Sequence, residues 1–144
     1  MSSTPSRGKK FSVEHAARVG AGIIFPGGQD PDRHGRLTGL YRDSGGKGPV
    51  YGIRSMWVGT PPETDEVLLE RAAYAKAGTR ITAERTLTGS VAQLVESVSD
   101  WTRRSGIDAI NIRLHVAGVA PEIVAEQITQ VGAEILPVLR SVIG

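Results

Sequence analysis

Residues 109 to 118 read AINIRLHVAG, and from Ile110 to Val116 apolar and polar positions alternate without a break. Ile110, Ile112, Leu114 and Val116 fall on one side, Asn111, Arg113 and His115 on the other. Side chains of a strand point alternately to its two faces, so the pattern predicts a two-faced β-strand over 109–118. Two readings fit it. One is an edge or half-exposed strand with its polar side in water. The other is a barrel strand whose apolar side lies under helices and whose polar side reaches a cavity.

The rest of the chain predicts the strand's neighbours. FSVEHAARVG reads as a helix over 11–20, with Ser12 placed to cap it and Gly20 to end it. AGIIFPGG is a short apolar strand over 21–28, closed by Pro26 and a glycine pair. A helix follows over 30–48, with Leu37, Leu40 and Tyr41 inward and glycines in its interior, where they weaken a helix. PVYGIRSMWVG is the next strand. TPPETDEVLLERAAYAKAG predicts a helix capped by Thr60, with Pro61 in its first turn and Glu63 at capping-box spacing. Ser90 and Gln93 repeat that device for a helix whose face is Val91, Leu94, Val95, Val98 and Trp101. Arg103 and Arg104 suit its negative dipole end, and Gly106 stops it. The last helix starts near Pro121 with Val124, Ile128, Val131, Ile135 and Val138 or Leu139 as its stripe, and Pro137 should interrupt it.

Helices and strands thus alternate, which predicts an α/β fold with about three parallel strands joined by right-handed crossovers. Three parallel strands alone leave unpaired edges and exposed faces. Composition narrows the class. The chain has 144 residues, 40% hydrophobic and 22% charged, the size and balance of a single globular domain over 1–144 with residues 1–6 disordered. It has no cysteine, which removes disulfides, zinc–thiolate sites and cysteine nucleophiles. With no apolar run of membrane-spanning length and no apolar signal segment, the expectation is a cytoplasmic protein with no membrane partner.

Charge excludes a further class. The net charge is +2, but Arg7, Lys9 and Lys10 place +3 in the first ten residues, leaving −1 for the remainder. A short basic tip is not a basic face, and aromatics at 5% leave few stacking platforms, so no nucleic-acid partner is expected. His15, His34 and His115 lack metal-ligand spacing, so no metal is expected either. SGGKGP, over 44–49, lacks the Lys-Ser/Thr end of a phosphate loop and precedes a strand, which makes it a turn. There is no GxSxG elbow. Arg54, inside a predicted strand, needs a partner or solvent, and an ion pair in the sheet wall is expected ahead of a ligand contact.

AARVGAGIIF, then DPDRHGRLTGLYRDSGGKGPVYGIRSMWVG, then SGIDAINIRLHVAGVAPEIVAEQI and GAEILPVLR resemble the C-terminal half of the bacterial luciferase-like monooxygenase family. The resemblance runs from about Arg7 to Val142 through diffuse motifs. It implies a partial TIM (β/α) barrel and a flavin- or deazaflavin-dependent oxidoreductase, with FMN or a deazaflavin coenzyme and a small organic substrate as ligands. AINIRLHVAG would be the last barrel strand. Sites in such barrels gather at the C-terminal ends of strands, which makes His115 and Arg113 the catalytic candidates ahead of Asn111. The resemblance also implies a cofactor-phosphate loop at RGKKFSVEHAARVGAG, with Gly8, Lys9, Lys10 and Ser12 as cofactor-binding residues. A helix N-terminus and two lysines suit an anion on physical grounds too. Ala21 stands where the family usually has aspartate, and the family's N-terminal half lies outside this sequence. A second function therefore stays open: a half-barrel without chemistry of its own, forming a homo-oligomer or pairing with a chain that supplies the other half.

Overall fold

The structure is a computed structural model that describes residues 7–25, 30–76 and 86–143, with side chains over 10–25, 30–73 and 86–142. The expected disorder of residues 1–6, the closing turn at Pro26–Gly28 and the end of the third helix fall outside the described residues.

Helix α1 (Arg7–Val19) leads through Gly20 into strand β1 (Ile23–Phe25). Gly20 has φ 78, a left-handed conformation that glycine adopts at no steric cost, and it ends the helix as expected. The start differs. Ser12 lies in the second turn instead of capping, because arginine, lysine and phenylalanine continue a helix readily and Gly8 sits in the first turn, where its cost is small. Val13 and Ala17 are buried against Phe25, Leu37 and Tyr41, which fixes this helix to β1 and to α2 (Pro31–Asp43).

Asp30 caps α2 by accepting from the Asp32 N–H at 3.0 Å. The helix ends at Asp43, earlier than the sequence pattern suggested, and Ser44 to Gly48 form a turn, as expected for that glycine-rich stretch. Tyr41 closes the turn: its hydroxyl donates to the Ala21 carbonyl at 2.5 Å and accepts from the Gly48 N–H at 2.8 Å. Gly35, inside α2, lets the helix approach α4 (Val91–Ser105), since a Cβ there would lie 2.2 Å from the Arg104 carbonyl oxygen.

The sheet centres on β2 (Val50–Val58), and among the described residues it has four strands, one more than the sequence pattern revealed. β1 pairs with its start, Ile23 opposite Val50. β4 (Ala109–Arg113) runs alongside from Tyr51 to Ser55, and β3 (Leu87–Gly89) joins its end, Met56 opposite Leu87. All pairings are parallel. Three residues are too few for β3 to show an alternation. β4 is also shorter than the 109–118 pattern: pairing stops at Arg113, and His115 lies beyond the strand.

Helix α4 keeps its expected limits. Ser90 and Gln93 form both bonds of the capping box, and Gly106 closes the helix in a left-handed conformation. Helix α3 (Asp65–Lys76) starts later than expected, with Thr64 in place of Thr60 at its head: Thr64 Oγ1 accepts from Val67 N–H at 3.2 Å and its carbonyl from Leu68 N–H. Pro61 and Pro62 precede the helix. The interruption expected at Pro137 is a π turn, Val131–Ile135, between α5 (Pro121–Gln130) and α6 (Leu136–Ile143). Proline donates no hydrogen bond and its ring crowds the carbonyl four residues back. The wider turn relieves that crowding, with Leu136 N–H donating to the Val131 carbonyl. It also rotates the stripe: Val131, Ile135 and Leu139 are buried, while Ile128 and Val138 are exposed and Val124 is half-buried.

The helices form one layer in the order α1, α2, α4, α6, each packed on the next. The layer covers one face of the sheet through two apolar clusters. Phe25, Tyr41, Val50 and Trp101 anchor the first; Met56, Leu94, Val98, Ile135 and Leu139 anchor the second. The architecture is an open parallel α/β sheet flanked by helices, consistent with a partial barrel. No helix among the described residues is long and apolar enough to cross a membrane.

Candidate functional site

Register sorts the sheet's side chains. Val50, Gly52 and Met56 face the helices, with Gly52 so close to Trp101 that a Cβ would lie 2.3 Å from the indole ring. Arg54 belongs to this parity and stands opposite Ile112, half-buried on the helix side. The other face carries Ile24, Tyr51 and Ala109 in one row, Ile53 and Asn111 in the next, and Ser55 and Arg113 in the third. That face is open over part of its length: Ile24 is 62% exposed, Tyr51 40%, and Asn111 and Arg113 are exposed, while Ile53 and Ser55 are half-buried. The alternating stretch is thus two-faced as expected, over the paired residues. Among the described residues β4 is an edge strand with its polar side open.

Toward the C-terminal ends of the strands the polar groups gather. Arg113 is the last residue of β4 and Ser55 its partner on β2. His115 follows two residues later and is exposed. The loops here are tied together. Thr64 Oγ1 donates to the Ala117 carbonyl, joining the segment after β2 to the segment after β4. Gly118 has φ 79, a left-handed conformation that favours glycine in this loop. Gly59 N–H donates to the Gly89 carbonyl at 2.8 Å, joining the ends of β2 and β3.

Two residues of this end carry no sequence signal. Gln127, on α5, holds Val58 with both halves of its amide. Its Oε1 accepts from the Val58 N–H at 2.8 Å, and its Nε2 donates to the Val58 carbonyl at 2.9 Å. A side chain thus satisfies both backbone groups at the end of β2. Trp57, in register with Thr88, is buried at 3% exposure although its parity is that of the open face. A glutamine among the polar positions of a helix gives no warning of a partner 69 residues away.

The basic tip lies elsewhere. Gly8, Lys9 and Lys10 form the first turn of α1 and Ser12 the second. α1 borders the β1 edge of the molecule and β4 forms the other edge, with β2 between, so the structure does not bring the tip together with Arg113 and His115. His34 is the buried histidine, stacked on Phe25 with centroids 4.2 Å apart, and it serves the core between α2 and β1. No group of three or more His, Cys, Asp or Glu among the described residues is placed to hold a metal.

The sequence matches no protein-family model and no curated protein. Among solved structures it is similar to monooxygenase RslO1 from Streptomyces bottropensis, with TM-score 0.68 and 21% identity, over 92% of this chain and 46% of that one. At this identity the likeness is one of fold. The chain spans less than half the length of that monooxygenase.

Proposed function

We propose that the chain is an oxidoreductase of the luciferase-like monooxygenase type, or the C-terminal part of one, that works with FMN or a deazaflavin on a small organic substrate. The observation that supports this most is the polar face of β2 and β4, with Ser55 opposite Arg113 at the end of β4 and Asn111 one row before them, on a fold similar to that of a monooxygenase. Ligands of parallel α/β sheets bind beyond the carboxyl ends of the strands, where these groups stand.

The N-terminus of α1 suits a cofactor phosphate. The first four N–H groups of a helix have no partner within it, and α1 has no acid in its first turn. Gly8, Lys9 and Lys10 therefore fit an anion through backbone donors and lysine charge. Ser12, one turn further in, does not. When bound, a flavin or deazaflavin supplies the redox chemistry, accepting or giving a hydride. The chain's part is binding and orientation: Arg113 and Asn111 offer donors to polar ring atoms, and His115 offers one hydrogen bond at the mouth. Tyr51 and Ile53 give the apolar wall behind them.

The test is equilibrium titration of the chain with FMN and with a deazaflavin, followed by fluorescence at low salt. The reading predicts saturable binding of one of them, weakened by Arg113→Ala and by the Lys9→Ala/Lys10→Ala double change, the latter more strongly at low salt. Binding of neither compound contradicts it.

A further inference from the structure

We infer that Thr64 is a positioning residue: its hydroxyl ties the loop that carries His115 to the head of α3, and so holds His115 at the strand ends. β4 ends at Arg113 and α5 begins at Pro121, so residues 114–120 lie outside both elements. Within this loop Leu114 packs on the Met56–Leu139 cluster and Val116 is buried, while His115 between them is exposed. Burial of its neighbours fixes where the backbone enters the loop, but not the turn that follows. That turn, at Ala117 and Gly118, is held by the Val119 N–H, which donates to the Val116 carbonyl at 3.2 Å, and by Thr64.

The Thr64 hydroxyl is used in both directions. It accepts from the Val67 N–H at 3.2 Å, in the first turn of α3, and donates its proton to the Ala117 carbonyl. An acceptor alone would cap the helix and leave the loop untied. The head of α3 lies close over the turn: the atoms nearest to a Cβ built on Gly118 belong to Glu66 and Thr64. α5, at the far end of the loop, is held on the same stretch of chain by Gln127, which bonds both backbone groups of Val58. Residues 58–64 thus anchor the turn of the loop and the helix after it. That segment is itself fixed, since the Gly59 N–H donates to the Gly89 carbonyl at 2.8 Å.

The consequence for binding is entropic. A donor on a free loop loses conformational freedom when it meets a ligand, and one already held in place loses less. Thr64 acts on a flavin-type ligand through His115, and that part of the inference rests on the function proposed above.

Substitutions at this position separate holding the loop from capping the helix. Thr64→Ser keeps both bonds, and Thr64→Val removes both while keeping the branched shape. Thr64→Asp keeps an acceptor for the Val67 N–H, and aspartate caps helices well, but above its titration range it has no proton for the Ala117 carbonyl. In heteronuclear NOE measurements without ligand, residues 115–119 of the parent should be as ordered as β4. The values there should fall in Thr64→Asp and Thr64→Val, stay high in Thr64→Ser, and remain unchanged at 109–113 in every variant. In titrations with FMN and with a deazaflavin, Thr64→Asp should weaken binding by about threefold or more in the parent and not at all in a His115→Ala background, because the two residues act through one contact. Unchanged NOE values in Thr64→Asp overturn the inference, as does equal weakening in the two backgrounds. Binding of neither flavin contradicts the proposed function, and the ligand-free measurement still decides whether Thr64 holds the loop.

Discussion

Gln127 grips Val58 by both of its backbone groups, 2.8 Å to the N–H and 2.9 Å from the carbonyl, beyond Ser55 where the pairing of β2 with β4 has ended. Gln127→Ala should leave both groups without that partner. We expect a loss of about 1–3 kcal/mol in urea unfolding with an unchanged m-value. Glu at this position keeps an acceptor for the N–H but offers no donor to the carbonyl, so Gln127→Glu should fall between the parent and the alanine variant above the carboxylate's titration range.

Two glycines of α2 should respond in opposite ways. Gly39 has nothing within 4 Å of an added Cβ, whereas one on Gly35 would press on the Arg104 carbonyl at 2.2 Å. Gly39→Ala should stabilise by about 0.5–1 kcal/mol, through helix propensity alone. Gly35→Ala should destabilise by about 1–3 kcal/mol, because α2 and α4 must move apart. Paired unfolding curves decide this, and equal effects would mean that the helices do not touch there.

Asp32, near the start of α2, meets Arg104 at the end of α4, with N–O distances of 2.9 and 2.7 Å. The hydrogen bonds from that guanidinium hold the Asp32 carboxyl below its ordinary range, and Arg104 is raised in turn by Asp32 and Asp100. A depressed carboxyl pKa favours folding above its unfolded value, and that contribution is lost as pH falls through the folded value. Carboxyl NMR should therefore show Asp32 titrating below the ordinary aspartate value, returning to it in Arg104→Ala. Because the pair is exposed, about 1 M salt should shrink the shift.

The two faces of β4 should separate as well. Ile112 packs against the Met56–Leu139 cluster, so Ile112→Ala should cost about 2 kcal/mol, the lower end for a half-buried aliphatic. His115→Ala, in an exposed loop beyond the strand, should leave stability within about 0.5 kcal/mol. Equal losses would make His115 a structural residue.

How far these features were legible in the sequence depends on how local their causes are. The capping box of α4 is complete within Ser90 to Gln93, and the faces of β4 follow from alternation, so both could be read directly. Thr60 and Thr64 give similar local signals, and only the bond from Val67 N–H decides which begins α3. β3 is three residues ahead of a cap, too short to register as a strand. The break could be anticipated at Pro137 and the stripe as ending on Val138 or Leu139; the π turn that leaves Leu139 buried and Val138 exposed could not be read locally. The open face was readable as a polar row; that Trp57 is buried on it, and that Gln127 seals the strand beside it, depends on contacts distant in sequence.

The central claim is that the open face, at the carboxyl ends of the strands, receives a flavin-type ligand. The most direct measurement is an amide chemical-shift map of the chain titrated with FMN and, separately, with a deazaflavin. The account predicts that shifts concentrate at 51–57 and 111–116, with a second, smaller group at Gly8–Lys10, and that Arg113→Ala abolishes the first group while leaving the fold intact. Shifts confined to the outer helices, or none with either compound at millimolar concentration, would contradict it.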